Sequence, residues 1–548
     1  MSTSPIDREL SRRTALRTAA IGGSALAFGV PSLAACSNTG AGPTSAAGKQ
    51  VTLPTYRPPT GLKPDLAGDP AQGIQDGFFT MPADLQNSVD GNPMSGGEIS
   101  AMVPTLAPPP PPLSSNTYAQ AMNARLGGRF TVRTAPSSEY GTKIDTLLAG
   151  NDLPDLVLVQ DFGQPRLDKL LENKFTDVSG LLSGDKVLEY PNLAAIPARA
   201  WTNAGMFGRL WGVPIERPLL WNVMMARADL MDAAGAAPGG IATTDDFEAM
   251  CAEVNDPRRN RWALTGSYGS FSLPAFAAAF GAPNNWRKNS DGSFTRDWET
   301  DEYKAAVEFT AKLRRTGYFH PQSANLTGSQ ITKLFVSGQI ACYAGQLSAW
   351  RNLISMEGLD ASQVTAMPLF GAKGKQPAVF YGTGVYGVLL LKKASEARAQ
   401  ECLRLLDFYA APFGTKEYVL VHYGVAGADY ELQNGQPKLT LNGKKEVVNV
   451  GYVSGSEFRV MYSPGLADWV RDQYQWEKAA APHGLADPTL GLYSETASRS
   501  GDEDQKVRDT ISDVVMGRKK LDDFSAAVKT WKTAVGDKIR DEYAKQHG

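Results

Sequence analysis

The stretch "YGTGVYGVLL", Tyr381–Leu390, sets Gly382, Gly384 and Gly387 in the order G-x-G-x-x-G. That is the spacing of a dinucleotide-binding turn, which works only where it follows a strand and opens a helix, because the helix's free N–H groups hold the pyrophosphate. Here the third glycine is followed by "VLLLKKAS", Val388–Ser395, an apolar run that reads as a strand. The glycines therefore fit a turn or a close backbone approach, and no NAD, FAD or other cofactor is expected.

The N-terminus carries a different kind of signal. "SRRTALR", Ser11–Arg17, places Arg12 and Arg13 ahead of the apolar run "TAAIGGSALAFGV", which leads into "PSLAAC". A stable transmembrane helix needs about 20 apolar residues, and this run is shorter. A charged start, a short apolar middle and small residues before a cleavage point read as a secretory signal over residues 1–35. The paired arginines point to twin-arginine export, although Ala15 stands where that signal carries a bulky apolar residue. Sec export is the plainer alternative. Leu33, Ala34, Ala35 and Cys36 resemble a bacterial lipobox, which makes Cys36 the expected lipidation site. A diacylated Cys36 would hold the chain at the extracellular face of the cytoplasmic membrane. Residues 36–94, rich in Gly, Pro, Ser, Ala and Asp without apolar periodicity, read as a flexible tether.

Composition narrows the classes. The chain has 548 residues, a net charge of −2 and no basic block, which argues against a nucleic-acid surface. With Cys36 assigned to lipid, Cys251, Cys342 and Cys402 are expected to be buried thiols, with one disulfide still allowed. His320, His422, His483 and His547 are dispersed, which gives little support to a zinc site or a histidine-centred triad.

The body alternates strand-like and helix-like segments. "GEISAMV" and "GRFTVRTA" read as strands, and "PDLVLVQ" as a buried parallel strand. Between the last two, "SSEYGTKIDTLLAG" puts Tyr140, Ile144, Leu147 and Leu148 on one helical face, with Ser137 or Ser138 as N-cap. "TTDDFEAMCAEV", "DEYKAAVEFTAKLRRTG" and "SEARAQECLRLLDFYAA" have amphipathic helical spacing. The expected fold class is α/β.

The order of further segments resembles bacterial ABC-transporter extracellular solute-binding proteins of family 1, and most of all their LipO-like lipoprotein branch. The segments are "LLAGNDLPDLVLV", "GRLWGVPIERPLLWNVMMARADLMDAAG", "RRTGYFHPQ", "LFVSGQIACYAG" and "YVLVHYGVAGADYELQNGQPKL". The resemblance runs from about residue 97 to the C-terminus and implies a type II two-lobe fold with a ligand cleft between hinge-joined lobes. Lobe one would take residues 95–215 and 370–430, and lobe two residues 216–369 and 431–548. It further implies a binding protein, not an enzyme, that delivers a carbohydrate, chiefly an oligosaccharide, to a membrane permease; nothing in the sequence marks an oligomer, and monomer is the default.

Sugars need aromatic shelves for their C–H faces and placed polar groups for their hydroxyls. Candidate ligand contacts are Glu216, Arg217 and Trp221 at the first crossing, Tyr268 and Phe271 in a loop, and Gln346 and Trp350 after "ACYAG". Tyr381 at the second crossing and Gln160 and Asp161 past the third strand complete the set. The plainer readings are core aromatics, an exposed Glu216–Arg217 ion pair and an Asp161 helix cap. A lipid-anchored glycan-acting enzyme using Glu216 and Asp161 is the alternative from another class. Some oligosaccharide-binding relatives carry an acidic calcium loop ahead of the segment matching "WALTG". Here that loop reads "NDPRRNR", Asn255–Arg261, and no metal is expected.

Overall fold

The structure, a computed structural model, describes residues 51–150, 152–160, 162–265, 272–356 and 358–547. Arg12, Arg13, Cys36, Asp161, Tyr268 and Phe271 lie outside the described residues. Among the described residues, two main sheets are built from nine strands. In chain order these are β1 (Glu98–Thr105), β2 (Arg129–Pro136), β3 (Leu156–Val159), β4 (Gly212–Glu216), β5 (Val223–Arg227), β6 (Trp262–Leu264), β7 (Ile340–Gly345), β8 (Val364–Ala366) and β9 (Val385–Leu391). The helices that matter most here are α1 (Thr117–Leu126), α2 (Tyr140–Ala149), α3 (Thr244–Val254), α4 (Leu273–Phe280), α5 (Asp301–Arg315), α6 (Ser348–Ile354), α7 (Glu396–Tyr409) and α8 (Ala467–Ala480).

The first sheet has the order β2-β1-β3-β9-β4, and the second the order β8-β5-β7-β6. In the first, β1, β2 and β3 are parallel and β9 runs antiparallel to both β3 and β4. Strand β3, "LVLV", is buried at every position, as a strand covered on both faces must be. Tyr140, Ile144 and Leu148 of α2 join the same core. The second sheet has a core on each face, one containing Phe247, Phe276 and Leu313 and the other Phe335, Trp350 and Trp469. The chain is thus α/β with two lobes.

Local chemistry accounts for the helix limits. Thr243 and Asp246 form a capping box at the start of α3, and Thr300 caps α5. Helix α5 places Asp301 and Glu302 in its first turn and Lys312, Arg314 and Arg315 in its last, matching the helix dipole. The expected serine cap of α2 is not formed. Glu139 is the N-cap residue and makes no side-chain cap bond, while the Ser137 N–H donates to the Thr105 carbonyl at 3.0 Å. Ser137 is drawn to the end of β1 instead.

The expected tether requires correction from residue 51 onward. Val51 is buried in the first lobe's core, and the Arg57 N–H donates to the Ala194 carbonyl at 2.8 Å. The segment then crosses to the second lobe, where the Gln75 N–H donates to Glu477 of α8 at 2.8 Å. It returns to the first, where the Ser88 N–H donates to Glu417 and the Met94 N–H to the Leu126 carbonyl of α1. Apolar anchors spaced along the segment, Val51, Ile74, Phe78, Met81 and Met94, hold this strap down. They follow neither helical nor strand periodicity, so the stretch reads as unstructured.

Two lobe boundaries also fall later than the expected 370 and 430. Phe370, Val379 and Phe380 still pack in the second lobe's cores, and Val450 and Val453 still pack in the first's. Cys251, Cys342 and Cys402 are free and buried.

Candidate ligand cleft

Strand direction places the site. In the first sheet the carboxyl ends of β1, β2, β3 and β4 share one edge with the start of β9, since Val388 pairs with Val159 and Val385 with Glu216. In the second, the carboxyl ends of β6, β7 and β8 share an edge with the start of β5, since Gly345 pairs with Val223 and Ala366 with Met225. The chain passes directly between these edges, from Glu216 to Val223 and back from Phe380 to Val385. The two crossings are stitched antiparallel. Arg217 N–H donates to the Gly384 carbonyl at 2.9 Å, Gly382 N–H to Leu219 at 2.7 Å and Trp221 N–H to Phe380 at 3.0 Å. Both sheets thus present strand ends to a common hinge, the position where open α/β sheets hold ligands.

The opening glycines now have a physical role. Gly384 has φ +71, a left-handed turn, and a Cβ on Gly387 would lie 2.6 Å from the Val159 carbonyl oxygen. They let β9 enter the sheet tightly against β3. Gly382 and Gly384 lead into this strand and Gly387 lies within it, and no helix N-terminus is there to hold a pyrophosphate.

Of the candidate contacts, Gln160, Arg217, Trp221, Gln346 and Tyr381 are half-buried at or beside this hinge. The Arg217 guanidinium lies 4.8 Å from the Tyr386 ring centre and 4.2 Å from that of Phe458. It donates to the carbonyls of Glu216 and Gly451, both at 2.7 Å. Tyr386 and Tyr452 meet at 5.0 Å, with Ser137 and Gln160 near the Tyr386 hydroxyl. Burial pushes the Tyr386 phenol up to about 12, so it stays neutral and can donate a hydrogen bond. Aromatic faces, a cation and a carboxamide thus converge on the first lobe's edge.

Two expected contacts have other employment. Glu216 is 5 % exposed and paired with Arg459, not with Arg217. The same Arg459 donates to the Ala410 carbonyl at 2.9 Å, so the pair ties the hinge to the first lobe. Glu216 is thereby withdrawn from ligand contact and from the acid–base role that a glycan-acting enzyme would give it. Trp350 is 1 % exposed, on the face of α6 that packs in the second lobe's core. Tyr381 is partly committed, its hydroxyl donating to the Ala481 carbonyl at 3.0 Å.

Sequence reading missed Tyr386, Tyr452, Phe458 and Ser137. Tyr386 stands inside the opening stretch, next to Gly387, and alternation along β9 was the available clue. Tyr452 and Phe458 come from a third passage between the lobes, where a Cβ on Gly455 would lie 2.3 Å from the Glu216 nitrogen. Nothing local marks that contact. At Asn255–Arg261 the chain makes a tight 3-10 turn capped by Asp256, whose carboxylate also lies 3.5 Å from Arg259.

Comparison with known proteins gives this geometry its context. Residues 117–437 match the family described as bacterial extracellular solute-binding protein. The polygalacturonan/rhamnogalacturonan-binding protein YtcQ of Bacillus subtilis is 26% identical over 74% of this chain and 83% of its own length. Lipoprotein LipO of the same organism is 24% identical over 85% of this chain and 95% of its own length. Among solved structures, the N-glycan transport solute-binding protein NgtS of Streptococcus pneumoniae, in complex with Man1GlcNAc, superposes with a TM-score of 0.61. That match has 11% identity and covers 82% of this chain and 98% of the other. The matched residues take in both stitched crossings and every strand of the two main sheets except β1, and the chain belongs to the bacterial extracellular solute-binding proteins.

Proposed function

We propose that this protein is the solute receptor of an ABC importer and that it captures a carbohydrate, chiefly an oligosaccharide, between its two lobes. The observation that carries the reading is the convergence of Arg217, Tyr386, Tyr452 and Gln160 on the sheet edge that faces the hinge. Rings offer shelves to sugar C–H faces, and the cation and carboxamide match hydroxyl or carboxylate groups. Trp221 and Gln346 supply the opposing side, where β6 ends at Leu264, a few residues ahead of Tyr268 and Phe271 in the chain. Asp161 comes directly after Gln160 and belongs to the same proposed contact set. Relatives that bind polygalacturonan and rhamnogalacturonan, or an N-glycan fragment, agree with a glycan ligand.

Binding drives closure through contacts available only in the closed state. The closed form then docks on a membrane permease. Export through Arg12 and Arg13, a diacyl anchor on Cys36 and a monomeric receptor at the extracellular face complete the proposal. Lipoprotein LipO supports the anchor.

The test is calorimetric titration of the full-length protein with galacturonides, fructo-oligosaccharides, malto-oligosaccharides and chito-oligosaccharides, with the sugar analysed afterwards. A saturable heat with the sugar recovered intact is expected. A sugar consumed during titration would turn the reading towards an enzyme, and silence across the panel would remove carbohydrate as the ligand.

A further inference from the structure

At the second lobe's edge, directly after Trp221, Asn222 occupies φ +52, a left-handed backbone conformation that Asn adopts more readily than most residues. It is 5 % exposed, and both its carboxamide oxygen and nitrogen are buried without a hydrogen-bond partner. Most buried side-chain amides are paired, because leaving one unpaired forfeits its solvation. This one lines a small, partly open recess of about 20 Å³. Its side-chain walls besides Asn222 are apolar, among them Met224 of β5, Ala275 and Ala278 of α4, and Met367, Leu369 and Phe370. It holds roughly one water or a pair of hydroxyl groups, and no whole sugar ring.

We infer that Asn222 is a specificity-determining residue that reads a vicinal hydroxyl pair on the ligand, the ring itself staying outside the recess. The inference rests on the carbohydrate reading of the cleft. The chemistry of the amide selects the group. A carboxamide shows a donor and an acceptor side by side, and two neighbouring hydroxyls can each donate or accept to match them. A trans-acetamido group points its N–H and carbonyl in opposite directions and satisfies only one of the two atoms. A carboxylate would set an anion against the amide oxygen. The site therefore favours a neutral diol over an N-acetyl or uronate substituent at this position, whatever the rest of the ligand carries.

The experiment titrates the parent and Asn222→Gly with the panel sugar that binds the parent and with its monodeoxy analogues. Glycine tolerates the positive φ, so the substitution removes the amide with little backbone strain. Affinity of the parent sugar should fall at least about tenfold in Asn222→Gly. Each of one pair of monodeoxy analogues should bind the parent protein more weakly than the full sugar and lose less affinity on the substitution, because only one of the two hydrogen bonds remains to be removed. An Asn222→Gly affinity within about twofold of the parent's would overturn the inference and leave a buried water as the amide's partner. Should Asn222→Gly melt well below the parent, the analogue series on the parent decides, and indifference to every deoxygenation overturns the inference. Silence of the parent towards all sugars overturns the carbohydrate reading, and this inference with it.

Discussion

At the first crossing Glu216 and Arg217 stand side by side, yet their side chains meet opposite surroundings, because successive residues of an extended chain point to opposite faces. Glu216 turns to one face, where Arg459 pairs with it and it is almost wholly buried. Arg217 turns to the other, where Tyr386 and Phe458 flank its guanidinium. One face of the hinge is a clasp that holds the third passage to the first, and the other is a ring-lined surface at the mouth of the cleft. On the proposed function, two charged neighbours thus divide stability and recognition between them.

The sharpest way to break that comparison is Arg459→Met, which leaves a buried carboxylate without its partner. Removing one member of a buried pair costs about 3–5 kcal/mol, and urea unfolding should show a loss of that size. A loss under about 1 kcal/mol would make the pair no more than an exposed one. Trp350→Ala should cost a similar 3–5 kcal/mol by opening a core cavity. Its sugar affinity should change little once folded protein is isolated.

The strap gives a pH-dependent version of the same contrast. Glu477 is fully buried under it, beside Gln473 and facing Arg199, and burial pushes its carboxyl up to about 8 from an ordinary 4.5. Asp407 is raised in the same way, to about 7. Between the unfolded and folded values the folded protein keeps a proton that the unfolded chain has released. This stabilisation is complete below about pH 4.5 and is lost as pH rises through 8. His422, depressed to about 4 by burial, works the other way, and its contribution is lost as pH falls from 6.5 towards 4. Glu477→Gln should therefore remove roughly 2 kcal/mol of the fall in stability between pH 6 and 8. Melting curves across that range check it, and an unchanged slope would place the titration elsewhere.

The smallest expected effect lies on the cleft side. Tyr386→Ala should weaken sugar binding about tenfold, near 1.4 kcal/mol, through the loss of one ring face. Its effect on unfolding should stay below that of Arg459→Met. Calorimetry on the same preparations separates the two faces. An affinity unmoved by the substitution would take the ring shelf out of the cleft.

How much was legible depended on how local each interaction is. Helices α2, α3, α5 and α7 were readable because apolar spacing and, for α3 and α5, cap chemistry lie within a few residues of one another. Gln160 was readable as a strand end, since a run of four buried residues stops just before it. Trp350 was misplaced because its spacing after a strand is the same whether the ring enters a cleft or a core. The strap was missed because its anchors find partners as distant as Glu477 and Glu417.

Read along the chain alone, the residues already showed that strand and helix alternate, that the G-x-G-x-x-G glycines run into a strand and not a helix, and that the segments keep the order of a solute-binding protein. These depend on periodicity, backbone freedom and segment order, all carried along the chain. It took the folded chain to pair Glu216 with Arg459, to enclose Arg217 between Tyr386 and Phe458 and to leave Asn222 with an unpaired amide. Those outcomes depend on three passages between the lobes meeting at one hinge, where residues more than 200 positions apart compete for the same few ångströms.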